Sequence, residues 1–259
     1  MPPRAARRAP PPIAVSDERG IRSLHIGGEA IQSAMRISDP WSLHLDYTRC
    51  MMASLLFQPD PRTALILGLG GGSIAKFLYR RLRKVRTRAV EIDPRVVAVA
   101  RAQFGLPPDD ARLEVEVGDG ATALDGAEVD LLVVDAFDDE TPAEPLATKE
   151  FFERARAALA PGGVMVANLM SDDPKLARRL RQIREAFGGV VVQLRAFTDE
   201  NLVVIGLQAP PPRIPWRELH ARARVLHERL ELPFPRYVRA LRAKNRWNYR
   251  HLVLHGEDD

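Results

Sequence analysis

Between residues 63 and 208 short apolar runs alternate with stretches of helical periodicity, and nothing else in the chain constrains its fold as tightly. The runs are ALILGLG (64–70), TRAVEI (87–92), LEVEV (113–117), VDLLVVDAF (129–137), GVMVANL (163–169), VVVQLRAF (190–197) and NLVVIGLQ (201–208). Helical spacing of apolar residues marks 73–84, 94–104, 148–159 and 174–187 between them. Strands that read as continuous apolar runs are buried on both faces, and strand–helix alternation demands right-handed crossovers into a parallel sheet. The sequence therefore predicts an α/β fold, a doubly wound, mostly parallel, seven-stranded sheet of Rossmann-like type. Only Thr198-Asp199-Glu200 joins the last two runs, too short for a crossover, so these two should pair antiparallel at the edge.

The flanks read differently. Residues 1–16 hold Pro, Arg and Ala with almost nothing to bury and are expected to be a disordered basic tail. In 17–60, two partly alternating runs around Gly27 and Gly28 signal a small N-terminal β-hairpin, and apolar spacing over 41–57 predicts a helix ended by Pro59 and Pro61. The nucleoside-binding α/β domain spans 61–209, and after the break PPPRIP a helical, Arg-rich C-terminal extension covers 210–259.

The net charge of +4 sits in the ends. Residues 1–16 carry three Arg and no acid, 213–259 carry 11 basic and 6 acidic residues, and the middle is left at −4. No signature of a nucleic-acid recognition module accompanies that charge, so nucleic acid is not an expected partner. No apolar stretch approaches the roughly 18 residues of a membrane span, no apolar segment follows the basic start, and the reading is a cytoplasmic protein without membrane contact. The single cysteine, Cys50, lies in the apolar run RCMMASLLF and is expected to be a buried, inert thiol. The six histidines lack metal-ligand spacing, so no metal is expected.

In a doubly wound sheet, ligands bind over the carboxyl ends of the strands where the strand order reverses. Four signals fall on that edge. Gly68-Leu69-Gly70-Gly71-Gly72-Ser73 follows the first strand and opens a helix, where missing side chains let backbone N–H groups approach a ligand. Glu91 ends the second strand, placed to accept hydrogen bonds from ribose hydroxyls. Gly118-Asp119-Gly120 closes the third, within reach of an adenine amino group, and Asp135 ends the fourth, with Asp138 three residues on. A strand-end aspartate also caps turns, and the acidic loop 138–140 also suits a solvated surface. A nicotinamide fingerprint would set its third glycine at position 73, where this chain has Ser73, so the adenosine of an S-adenosylmethionine-type molecule fits better. Neither G-x-S-x-G nor a P-loop lysine occurs, which argues against an α/β-hydrolase or a nucleoside triphosphatase.

SLHIGGEAIQS with Gln32, the helix with Tyr47, ALILGLGGGS, AVEIDPRVV, LEVEVGDG, VDLLVVDAFDD and LATKEFFERARAALAPGGVMVANL follow one another over 23–208. In this order and spacing the chain resembles the polyamine aminopropyltransferases, the spermidine synthase-like proteins, which share the class I S-adenosylmethionine-dependent methyltransferase fold. The resemblance implies that Gly68, Gly70, Gly72, Glu91, Asp119 and Gly120 bind the donor, with Glu91 on ribose and Asp119 on adenine. It implies that Asp135 acts on the amine nucleophile, that Gln32, Tyr47 and Asp138 line the amine pocket, and that the chain forms a homodimer. The implied reaction displaces methylthioadenosine from decarboxylated S-adenosylmethionine by a small-molecule di- or polyamine.

Three positions depart from the family pattern. Gly71 stands where the family carries the aspartate that grips the donor's aminopropyl ammonium, Tyr47-Thr48-Arg49 replaces Tyr-His-Glu, and Asp138-Asp139 replaces Asp-Pro. Without the carboxylate at Gly71, the donor is open between decarboxylated S-adenosylmethionine and S-adenosylmethionine itself. A methyltransferase-type enzyme and a non-catalytic nucleoside-binding protein are the alternative readings.

Overall fold

The computed structural model describes residues 10–136 and 148–254. Three strands come first: β1 (Ile13–Glu18), β2 (Ile21–Ile26) and β3 (Ile31–Arg36) form an antiparallel sheet in that order. The hairpin around Gly27 is β2–β3, with an irregularity in register at Leu24/His25. Contrary to the expectation of a tail through residue 16, Ile13 to Ser16 pair with β2, and the alternation Ile13, Val15 supplies one apolar face. Then α1 (Asp46–Met51) passes into a 3-10 turn, Met52–Leu56. The helix is shorter than 41–57, because its apolar residues are already buried on several sides once the first turn is complete.

The main sheet combines β4 (Thr63–Leu67), β5 (Arg86–Glu91), β6 (Leu113–Val117), β7 (Val129–Val134), β8 (Leu159–Met170), β9 (Val191–Arg195) and β10 (Asn201–Leu207) in the order β6-β5-β4-β7-β8-β10-β9. The chain winds from β4 outward through β5 to β6, then returns to β7 beside β4, so the strand order reverses between β4 and β7. Strands β4 to β8 are parallel. As the short 198–200 connection requires, β9 and β10 are antiparallel, and β10 inserts between β8 and β9.

Alternate residues feed two cores, which is why the strands read as unbroken apolar runs. Ala64, Ile66, Leu131 and Val133 face one side, packed by α1, by α2 (Ser73–Arg81), and by α6 (Trp216–Leu230) and α7 (Phe234–Ala240) of the C-terminal extension. Leu65, Leu67, Leu132 and Val134 face α4 (Lys149–Ala157) and α5 (Leu176–Ala186) on the other. The extension also contains a two-stranded ribbon, β11 (Arg213–Pro215) with β12 (His251–Val253), a feature beyond its expected helical character. Helix α3 (Pro94–Gln103) begins with Asp93, whose side chain accepts from the Arg95 N–H, and with Pro94 in the first turn; such a cap contributes about 1 kcal/mol.

The N-terminal sheet rests on α3 through Leu24, Met35, Val96 and Phe104. Behind this contact the buried ammonium of Lys76 donates to the Phe104 carbonyl at 2.6 Å and approaches Met35 Sδ at 3.2 Å. Burial pushes Lys76 down to about 8. This arrangement fixes the N-terminal sheet over the carboxyl end of the main sheet. Cys50 is fully buried, and burial beside Asp46 pushes its thiol up to about 12, consistent with an inert residue. No helix among the described residues is long and apolar enough to cross a membrane.

Candidate active site

A cavity of about 470 Å³ opens over the strand reversal, and Pro11, Ile26, Ile31, Gln32 and Ser33 of the N-terminal unit line it. This volume lies in the range of roughly 300–1,000 Å³ that small-molecule sites occupy. Leu67, Gly68, Leu69, Gly70, Glu91, Asp119, Gly120 and Asp135 all line it, so the four strand ends singled out from the sequence converge.

At one end the cavity is built mainly from backbone. Gly68 adopts φ +91°, and a Cβ there would lie 2.4 Å from the Asp135 carbonyl oxygen, so glycine is what lets the ends of β4 and β7 meet. The Glu91 carboxylate accepts from the Leu69 N–H at 2.9 Å and the Asp93 N–H at 3.1 Å, which aims it across the loop. A carboxylate has about four lone-pair sites, so capacity is left for ligand hydroxyls. Asp119 does two things at once: Oδ1 accepts from the Ala121 N–H at 2.8 Å, the turn-capping role, while the residue still lines the cavity. Ile92 lines the wall between Glu91 and Asp93 and is 66% exposed, an uncovered apolar surface suited to the face of a planar base.

Gly72 is set back from the cavity lining and forms the N-cap of α2. Gly71 is more informative. A Cβ at this position would lie 2.7 Å from Phe104 Cδ1 and 2.9 Å from Ser33 Oγ. The space that a side chain would need is already filled by a ring and a hydroxyl from the α3 and β3 neighbourhoods, so the missing carboxylate is a packed feature of this chain.

At the other end the cavity is built from side chains. Asp135 Oδ1 accepts from the Asn168 amide at 3.0 Å, and Oδ2 accepts from the Tyr47 hydroxyl at 3.3 Å. Asn201 donates in turn to Asn168 Oδ1 at 2.9 Å. Burial pushes Asp135 up to about 6, while the Asn168 and Tyr47 hydrogen bonds pull it down. Burial and the neighbouring Asp135 and Asp199 charges hold Tyr47 well above the usual phenol range, so it remains a donor.

Two aspartates clasp α1 to the β9–β10 turn. Asp46 accepts from the Phe197 and Thr198 N–H groups, and Asp199 accepts from the Tyr47 N–H at 2.9 Å. Arg49 pairs with Asp46 at 3.4 Å and is directed away from the cavity lining.

Of the residues singled out from the sequence, Gln32, Tyr47, Gly68, Gly70, Glu91, Asp119, Gly120 and Asp135 are brought together, whereas Asp138 lies outside the described residues. Sequence reasoning missed Ser33, Asn168, Asp199 and Asn201, all on the cavity wall. Asn168 carried a readable signal, a polar residue at the carboxyl end of an apolar strand. Asp199 carried none, since a three-residue turn needs no polar partner to be explained. Among the described residues no group of His, Cys, Asp and Glu is arranged to hold a metal ion.

Residues 46–194 match the Spermine/spermidine synthase domain family, more than half of the chain and including every strand that contributes a strand-end acid. The chain belongs to that family. A Chromobacterium violaceum protein named polyamine aminopropyltransferase is 38% identical over 253 residues, with 97% of each chain covered. The family fold is equally plain in solved structures. A probable spermidine synthase from Corynebacterium glutamicum aligns with a TM-score of 0.67 at 22% identity, covering 83% of both chains. Human methyltransferase-like protein 13 in complex with SAH aligns at 0.63 and 24% identity, covering 80% of this chain and 96% of that one. Both likenesses are statements about fold. They agree with the seven-stranded sheet and its order, and the spermine/spermidine synthase family accounts for the N-terminal unit that roofs the site.

Proposed function

We propose that this chain transfers an aminopropyl group from decarboxylated S-adenosylmethionine to a primary amine of a di- or polyamine, with Asp135 as the proton acceptor. The observation that carries the reading is Asp135 itself. It is a carboxylate lifted to about 6, set between two neutral hydrogen-bond donors, without a cationic partner, where the backbone-built and side-chain-built ends of the cavity meet.

The donor would supply an electrophilic carbon beside a sulfonium, which leaves as neutral methylthioadenosine. Glu91 would hold the ribose and Asp119 and Ile92 the base, so the nucleoside would be positioned by the end of the cavity with the fewest moving parts. An alkylammonium has no free lone pair, and with a pKa of about 10 it is mostly protonated near neutral pH. Asp135 would attract the ammonium and take one proton, freeing the pair that forms the new N–C bond as the C–S bond breaks. A carboxylate raised toward 6 is a better base than an ordinary one and stays largely ionised at pH 7. Tyr47 and Asn168 would keep its two oxygens aimed at the nitrogen, and further acceleration would come from alignment.

The packing at Gly71 supports a second reading, in which the carboxylated donor binds and the chemistry is of methyltransferase type. No carboxylate side chain at that turn would repel it. Calorimetric titration with both donors separates the two: tighter binding of S-adenosylmethionine than of its decarboxylated form ends the first reading. Methylthioadenosine release is then assayed with putrescine, cadaverine and spermidine. Donor binding without turnover of any of the three favours a non-catalytic nucleoside-binding protein.

A further inference from the structure

Asp199 is a carboxylate on the cavity wall for which the reaction described above has no use. It is half-buried and faces the same cavity as Asp135, together with Asn201, Met170 and Leu45. Its oxygens are held in place: Oδ2 accepts from the Tyr47 N–H at 2.9 Å and Oδ1 from the Thr198 hydroxyl at 3.1 Å. The turn that carries it is pinned from the other side by Asp46, which accepts from the Phe197 and Thr198 N–H groups. Among the described residues Asp199 forms no salt bridge, and neither does Asp135. Asp46, by contrast, is paired with Arg49.

The spacing is set by one residue. Tyr47 gives its backbone N–H to Asp199 and its hydroxyl to Asp135, so the two carboxylates stand at opposite ends of a single tyrosine. Two uncompensated negative charges on one cavity, separated by the length of a tyrosine, match a short flexible chain with a nitrogen at each end. A half-buried carboxylate without a counter-ion is costly unless a cation arrives, and an ammonium bound there would gain a charge-assisted hydrogen bond.

We propose that Asp199 holds the ammonium of the acceptor that does not react, and so selects short α,ω-diamines over monoamines. The inference rests on the reading of Asp135 as the residue at the reacting nitrogen. Asp199 is then a specificity-determining residue, and Asp46 positions it by fixing the turn.

The test is calorimetric binding of putrescine and of n-butylamine, which lacks the second ammonium, to the full chain saturated with methylthioadenosine. Asp199→Asn keeps an oxygen that can accept from the Tyr47 N–H while removing the charge. The wild-type protein should bind putrescine about tenfold or more tightly than n-butylamine, the scale of a hydrogen bond between charged partners. In Asp199→Asn that ratio should fall to near one, through weaker putrescine binding alone. Asp199→Glu, which moves the carboxylate one methylene inward, should shift preference from putrescine toward 1,3-diaminopropane. Three results overturn the proposal: a ratio that survives in Asp199→Asn, equal weakening of both amines in that variant, or a wild-type protein that does not prefer the diamine. Methylthioadenosine release is measured in parallel. Its absence from a wild-type protein that still prefers putrescine would sink the aminopropyl-transfer reading and leave the assignment of Asp199 standing.

Discussion

At the nucleoside end of the cavity the Glu91 carboxylate is held by two backbone N–H groups, whereas at the acceptor end Asp135 is held by two side chains, Tyr47 and Asn168, that lie 88 and 33 residues away in sequence. The first arrangement follows from a strand, a glycine turn and a helix start in direct succession. The second needs α1, β7, β8 and the β9–β10 turn to be packed correctly at the same time. Backbone donors persist whatever side chains surround them, so the nucleoside end should tolerate change in its neighbours. Side-chain donors do not persist, and the acceptor end should be the more easily disabled.

The sharpest contrast comes from the two carboxylates. Asp135→Asn removes the proton acceptor and should lower turnover by about 10²–10⁴-fold with donor affinity little altered, measured by methylthioadenosine release alongside calorimetry. Unchanged turnover would place the base elsewhere. Glu91→Ala should do the reverse, weakening donor binding by about 1–3 kcal/mol through the loss of a charged acceptor. An acceptor KM that rose while donor affinity held would erase the division between the two ends.

A third prediction probes the packing behind the glycine turn. Gly71→Ala would press a methyl group against Phe104 and Ser33, and should lower stability by about 1–3 kcal/mol, seen as a drop in the denaturant midpoint. A variant as stable as the parent would mean that Phe104 is free to move, and that a carboxylate at this turn is not sterically barred.

The smallest expected effects are on the pH profile. Asp135 acts only when ionised, so kcat/KM should climb with pH and level off above about 6, absent other titrations on the acid limb. Tyr47→Phe removes a hydrogen bond that favours the charged carboxylate and should move that midpoint upward. A downward shift would mean that the phenol does not donate to Asp135.

Sequence alone determined the sheet, because strands buried on both faces must read as apolar runs and a parallel sheet needs crossover helices between them. It also marked Glu91, Asp119 and Asp135, because in such a sheet the carboxyl end of each strand is the ligand edge whatever the loops do. It did not reveal that β1 starts at Ile13, since one exposed edge strand with two apolar residues resembles a tail until a partner strand is beside it. Nor could it show that Phe104 and Ser33 fill the side-chain space at Gly71, or that Asp199 stands one tyrosine from Asp135. Those facts depend on residues far apart in the chain arriving at one point. Local periodicity records which face a residue buries, and only the packed structure decides what that face meets.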